Sequence, residues 1–423
     1  MVRFSGSGFF TLLFLLTRVF TPAVAQAELP GSLTAGGPVS PATASVAVLR
    51  FDYLQDGTAP SLAAIRQAVF THSKSMAKYF EATSFGRVRL VGEVYDVPPP
   101  APLFGSGWTA CWPATDEAAL EAAIQAGLPL AQYQRIIFVV RRSPSTPGCA
   151  AGNSTLGTRI FQLSIGPLNL SVARLGEPFY MTGDFSQTTQ STLAHELGHS
   201  FGVSFHANSY SCSDGQFLSQ NLSTCTQQPY GDLFQMMGLR SQMSLFSSPL
   251  TERLGWLPPA HITQVTRPGL YPIYAYGDPL PLMATSPRSH TARALKIKLR
   301  KPVPIRTVTG VEAQISELYI EFRRNVGFDF RLNRSVSLAG GGTYLIPNTD
   351  GVILTGVSYT GEPGGYFTHL LPVQTIANPQ YIPNSAADPY LRVGSSVSVP
   401  LNSLRITVAV SYTHLTLPTK RIV

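Results

Sequence analysis

Apolar and polar positions along the chain fall into short blocks with two different periods. Val46 to Tyr53 and Arg135 to Val140 (RIIFVV) are near-continuous apolar runs of strand length, and Arg87 to Val97 alternates with period two. Between the first two strands, Ser61 to Phe80 has apolar residues at helical spacing and predicts one amphipathic helix. Strands alternating with helices imply an α/β domain. Arg159 to Ile165 predicts another short strand, and a helix opens near Asp184 or Ser186, either of which suits its N-cap. Beyond Pro258 the pattern changes to short β-like runs separated by Gly and Pro: Leu295 to Leu299, Leu318 to Arg323, Gly342 to Ile346, Gly351 to Val357 and Leu404 to Val410. The expected architecture is an α/β domain over residues 46–258 followed by a smaller β-rich, sandwich-like domain over 259–410.

Composition narrows the classes. Of 423 residues only 13% are charged and 44% are hydrophobic, with 36 Gly and 34 Pro, which excludes disorder as the main state. No stretch reaches the roughly 18 consecutive apolar residues of a bilayer span, so none is expected. At the N-terminus, Arg3, the apolar run Phe9 to Leu16 and the small-residue pattern Ala23-Val24-Ala25-Gln26-Ala27 read as a secretory signal over 1–27. Arg18 shortens the apolar region, and a mis-set start codon or a short membrane anchor is the competing reading. Residues 28–45 suit a linker or short propeptide. Ser411 to Val423 breaks the β pattern and resembles translated adapter sequence, so that tail, His414 included, is set apart.

Export would make the four cysteines disulfide-permissive. Cys111, Cys149, Cys212 and Cys225 allow three pairings, and pairing of sequence neighbours is favoured because each bridge then staples one long loop. The net charge of +8 is concentrated: residues 285–335 hold eleven Lys or Arg against four acidic side chains. Lys296, Lys298 and Arg300 alternate with Leu295, Ile297 and Leu299, which predicts a solvated strand face; a patch for acidic polymers is the alternative. Nucleic-acid binding is not expected, because no aromatic cluster is available for base stacking.

The chemistry is concentrated in His195-Glu196-Leu197-Gly198-His199. Residues four apart on a helix point the same way, so both imidazoles can share one zinc ion, and Glu196 beside the first can take a proton from water activated at the zinc. Leu193, Leu197 and Phe201 form a separate apolar stripe that would anchor the helix. Gly202 can adopt the left-handed conformation that ends a helix, and His206 follows to give HExxHxxGxxxH. A returning third His would complete a three-nitrogen site. His72, His261, His290 and His369 have no ligand spacing.

Downstream lie Tyr230-Gly231-Asp232-Leu233-Phe234-Gln235-Met236-Met237-Gly238 and Leu254-Gly255-Trp256-Leu257. HELGHSFG, a loop with two cysteines, YGDxFxxMG and LGWL together resemble the gametolysin family of secreted zinc metallopeptidases, within the metzincins. The resemblance extends through KYFEATSFGRVRLVGEV (Lys78 to Val94) and LYIEFRRNVGFD (Leu318 to Asp329). It implies a metzincin-like catalytic domain, Zn2+ ligation by His195, His199 and His206, general-base work by Glu196 and a Met-turn role for Met237, with Met236 the alternative. One residue more than the common spacing separates Gly202 from His206, and residues 203–205 are expected to absorb it by looping outward.

These expectations describe a secreted, monomeric zinc endopeptidase acting on protein or peptide substrates, with an extracellular-matrix or cell-wall polymer as a further partner. Arg159 to Ile165 is a candidate edge strand for an extended substrate. A secreted binding or adhesion module that keeps zinc without hydrolysing peptides is the rival from another class. Ligation by an acid such as Glu252 in place of His206 is the rival within the enzyme class.

Overall fold

The structure is a computed structural model that describes residues 42–53, 55, 57, 59–100, 115–141, 152–176, 187–214, 216–238, 243–277, 292–307, 310, 312–329, 335–337, 343–345, 351–359, 366–371, 374–375, 387–388, 396–402 and 404–408. Residues 1–27, expected to be a signal, together with Cys111, Cys149, Asp184, Ser186, His290 and the 411–423 tail, lie outside the described residues. The chain forms a mixed α/β fold with two main sheets and few helices.

The first sheet has the order β2 (Val88–Asp96), β1 (Ala42–Asp52), β3 (Arg135–Arg141) and β6 (Gly166–Leu175), all parallel. β4 (Gly152–Ser154) and β5 (Arg159–Leu163) pair antiparallel with β6. A parallel sheet covered on both faces needs apolar side chains on both sides of each strand, which accounts for the near-continuous apolar runs VAVLRF and RIIFVV. Val46, Val48, Ile137 and Val139 face one core, and Ala47, Leu49, Ile136 and Phe138 face another. The helix α3 (Asp116–Gln125) covers the second core with Ala119, Leu120 and Ala123. The first is covered by α1 (Leu62–Arg66), α2 (Met76–Thr83) and α4 (Gln187–Ser200).

The single helix expected over Ser61 to Phe80 is broken. After α1 the chain makes a π-turn over Gln67–Thr71 and restarts at α2, where the Ser75 hydroxyl accepts from the Lys78 N–H. Polar residues His72 to Ser75 supply a new N-cap where apolar spacing alone predicted continuity.

The second sheet draws strands from both sides of residue 258, so that position does not separate the two sheets. Its order is β8 (Cys225–Gln228), β7 (Asn208–Cys212), β15 (Tyr366–Leu370), β14 (Gly351–Tyr359), β11 (Glu312–Arg323), β10 (Ala294–Arg306) and β9 (Ile262–Gln264). The parallel β7–β15 pairing sews the segment after His206 to the C-terminal strands. One face packs with β18 (Ser396–Val399) and β19 (Leu404–Thr407), while Tyr319, Val357 and Tyr366 join the core beneath α4. The short pairs β12 (Ser335–Ser337) with β13 (Thr343–Leu345) and β16 (Gln374–Thr375) with β17 (Ala387–Asp388) stand apart from the main sheets. On β10 the expected alternation holds: Leu295, Ile297 and Leu299 are buried, Lys298 and Arg300 are exposed. Lys296 is half-buried and pairs with Glu252 and Glu317.

Candidate metal centre

Helix α4 is sunk into the core. Leu193, Ala194 and Leu197 pack against the first sheet and α2, and even its polar residues Ser191, Thr192 and Ser200 are buried. A helix covered on all sides holds its side chains in fixed rotamers, so His195 and His199 project rigidly with ring centroids 4.9 Å apart. The helix ends as expected at Gly202, whose φ is +98°. The Gly202 N–H reaches the His199 carbonyl at 2.8 Å and the Val203 N–H reaches the Gly198 carbonyl at 3.1 Å, satisfying the last turn.

The return to His206 differs from the outward loop expected of residues 203–205. Val203 and Phe205 are buried, and only Ser204 points out. The apolar side chains decide this: Val203 and Phe205 enter the main core, and Phe205 meets Tyr366 with ring centroids 5.1 Å apart. The extra residue is absorbed by an in–out–in extended segment that delivers the His206 ring to within 5.0 Å of His199 and 5.2 Å of His195.

The three imidazoles form a group able to hold a metal ion, with one ligand nitrogen from each lying within 4.8 Å of the others. His195 donates Nδ1–H to the Met236 carbonyl at 2.9 Å, and His199 donates Nδ1–H to the Val203 carbonyl at 2.6 Å. A carbonyl can only accept, so these bonds set the tautomer and leave each Nε2 with a lone pair for a cation. His199 Nε2 and His206 Nε2 are 3.2 Å apart. Two nitrogens bound to one zinc at about 2.0–2.1 Å and a tetrahedral angle would be separated by about 3.3 Å, so the donor set fits such an ion. His195 and His199 are buried and His206 is half-buried, which opens the centre on the His206 side.

Glu196 is 3% exposed. Its carboxylate lies against β4: a Cβ on Gly152 would come within 2.6 Å of Glu196 Oε1 and 2.7 Å of its Cγ. Only glycine leaves the carboxylate its place. Thus β4, rather than the β5 strand that covers most of Arg159 to Ile165, lies against Glu196, while β5 forms a hairpin with β6.

Both methionines of the turn have a part, and different ones. Met237 packs its sulfur beneath the helix, where a Cβ on Gly198 would sit 2.6 Å from Sδ. Met236 contributes the carbonyl that orients His195. The Met237 carbonyl accepts from the Ala207 N–H at 2.8 Å, tying the turn to the residue after His206. Within the turn, Asp232 accepts from the Phe234 N–H at 2.8 Å, and burial pushes its carboxyl up to about 7. Cys212 and Cys225 are disulfide-bonded across β7 and β8, as expected for that pair, bracing the segment between His206 and the turn. Closing this loop is worth about 3 kcal/mol in the chain-entropy model.

Glu252 is not brought to the centre; it pairs with Lys296 and accepts from the Tyr319 hydroxyl. His369 is buried between Ser358 and Gln227, and burial lowers its pKa to about 3. His261 is likewise lowered to about 4 by burial. Neither stands with the metal-binding group.

Three features of the site and its support carry little signal in the sequence. Gly152 lies in a Gly- and Ala-containing stretch with no motif of its own. Tyr230 was visible only as part of YGD, with no role. Glu321, Arg323 and Asp329, all within LYIEFRRNVGFD, form a buried ionic cluster that accepts the N–H groups of Leu245 and Ser248 just beyond the Met turn. A charged pair inside a strand pattern was the available signal. Comparison with protein-family models finds no match, and no curated protein matches the chain.

Proposed function

We propose that this protein is a secreted zinc-dependent endopeptidase of gametolysin type, metzincin in fold, that hydrolyses peptide bonds of extracellular or cell-wall proteins. The observation that carries the reading is the convergence of three imidazoles, two of them on the helix segment HELGH, together with the burial of Glu196, the residue that follows the first of them. A site built only to hold a metal needs no carboxylate at that position, and burying one is costly without a use for it. His195, His199 and His206 would hold the zinc, which when bound supplies Lewis-acid polarisation of the scissile carbonyl and a lowered pKa for water. Glu196 accepts the proton from the attacking water and delivers it to the leaving amine. Gly152 keeps space for that carboxylate, and the adjoining β4 is where an extended peptide would lie. The Cys212–Cys225 disulfide supports an oxidising, extracellular setting.

The test is zinc analysis of the purified protein together with cleavage of a peptide library, with and without a chelator. Glu196→Gln should keep its zinc and lose about 10²- to 10⁴-fold in rate, the usual size of general-base assistance. Near-full activity in that variant, or zinc binding without any cleavage by the wild type, would remove the peptidase reading.

A further inference from the structure

We propose that Tyr230 is the positioning residue for His206, its ring forming the wall that fixes the third imidazole in the plane metal binding needs. This rests on reading the three histidines as a metal centre. Tyr230 lies in the turn after β8 and holds φ at +57°, a left-handed backbone that side-chain-bearing residues seldom adopt. Residues held in such conformations persist where the surroundings over-determine them, and they gather at functional sites. The next position fixes the turn: a Cβ on Gly231 would run into the Ser209 hydroxyl and lie 2.9 Å from the Gln228 carbonyl.

This conformation places the tyrosine ring on His206. The two ring centroids are 3.9 Å apart with planes 28° from parallel, and the same ring is 20° from parallel to His195 at 6.2 Å. The three ligands are therefore oriented by different means. His195 and His199 stand on a rigid helix and are aimed through Nδ1 by backbone carbonyls. His206 stands on the extended return after Gly202, carries the added residue, and is the most exposed of the three. A flat ring stacked on the imidazole restricts rotation about its side-chain bonds. Tyr230 is half-buried, so the same ring also flanks the open side of the centre.

The experiment is zinc titration of apo-protein against a chromophoric chelator, for wild type, Tyr230→Asn, Tyr230→Phe, His206→Ala and the double variant His206→Ala/Tyr230→Asn. Asparagine tolerates the left-handed backbone, so it removes the ring with the least disturbance of the turn. Tyr230→Asn should weaken zinc binding by about 10-fold and Tyr230→Phe by no more than about twofold, the scale expected of groups that orient a ligand. In the His206→Ala background the asparagine should have no further effect, because the ring acts through His206. The proposal is overturned if Tyr230→Asn binds zinc like wild type, if Tyr230→Phe is as weak as Tyr230→Asn, or if asparagine weakens binding equally without His206. A wild-type protein that takes up no zinc overturns this proposal and the peptidase reading together; zinc uptake without cleavage sinks the peptidase reading alone.

Discussion

Replacing Arg323 with Met should destabilise the protein far more than loss of one surface contact. The guanidinium is fully buried, donates to Glu321 at 2.8 Å, to Asp329 at 3.0 Å and to the Phe246 carbonyl at 3.2 Å, and lies 4.4 Å over the Tyr276 ring. Glu321 in turn accepts from the Ser248 N–H and hydroxyl, and Asp329 accepts from the Leu245 N–H at 2.9 Å. One cation thus balances two carboxylates, and its removal leaves both in a medium that solvates charge poorly. Breaking a buried pair from one side costs about 3–5 kcal/mol, against a total of about 5–15 kcal/mol for a typical fold, so the ratio of folded to unfolded protein should fall by roughly two to nearly four powers of ten. Urea unfolding followed by tryptophan fluorescence measures this. Burial raises the Asp329 carboxyl and Arg323 holds it down, so without the cation it would rise further and the loss should be greater at pH 8 than at pH 5. The triple variant Glu321→Gln/Arg323→Met/Asp329→Asn removes the stranded charges and should be more stable than Arg323→Met alone. A loss below about 1 kcal/mol in Arg323→Met, or a triple variant no better than the single one, would refute the ionic account.

Burial raises the Asp232 carboxyl from its ordinary 3.8 to about 7, so ionisation is disfavoured in the folded state. Its penalty is absent below the unfolded pKa, grows through the window up to about 7 and is complete above it; Asp232→Asn should therefore gain about 3 kcal/mol more over wild type at pH 8 than at pH 5. Thermal melting of the apo-proteins at both pH values checks this, and parallel pH profiles would refute it. Gly152→Ala should push Glu196 out of place, lowering kcat by about 10²-fold while zinc affinity changes little; unaltered peptide cleavage would show that Glu196 does not need that space.

The helix that carries His195 and His199 could be read from sequence because its determinants are local. A four-residue spacing points two imidazoles one way in any α-helix, and glycine at 202 accommodates the positive φ that ends it. The central strands β1 and β3 of the first sheet were equally legible, since burial on both faces leaves near-continuous apolar runs, whereas β6 beside them was not expected from the sequence. The helix break at His72 to Ser75 was not, because apolar spacing continues across it while the Ser75 cap depends on where the chain turns. The outward loop before His206 failed for a related reason: a spacing argument counts residues, whereas Val203 and Phe205 go where apolar surface can be buried. Pairing of β7 with β15, the Gly152 contact with Glu196, the Tyr230 stack on His206 and the Arg323 cluster beneath the turn all join residues distant in the chain or set by a turn's three-dimensional path. Periodicity reports which face of an element seeks the core, but not which other element it will meet there. The donor types were thus determined by the chain, and their mutual orientation by packing that only the folded molecule contains.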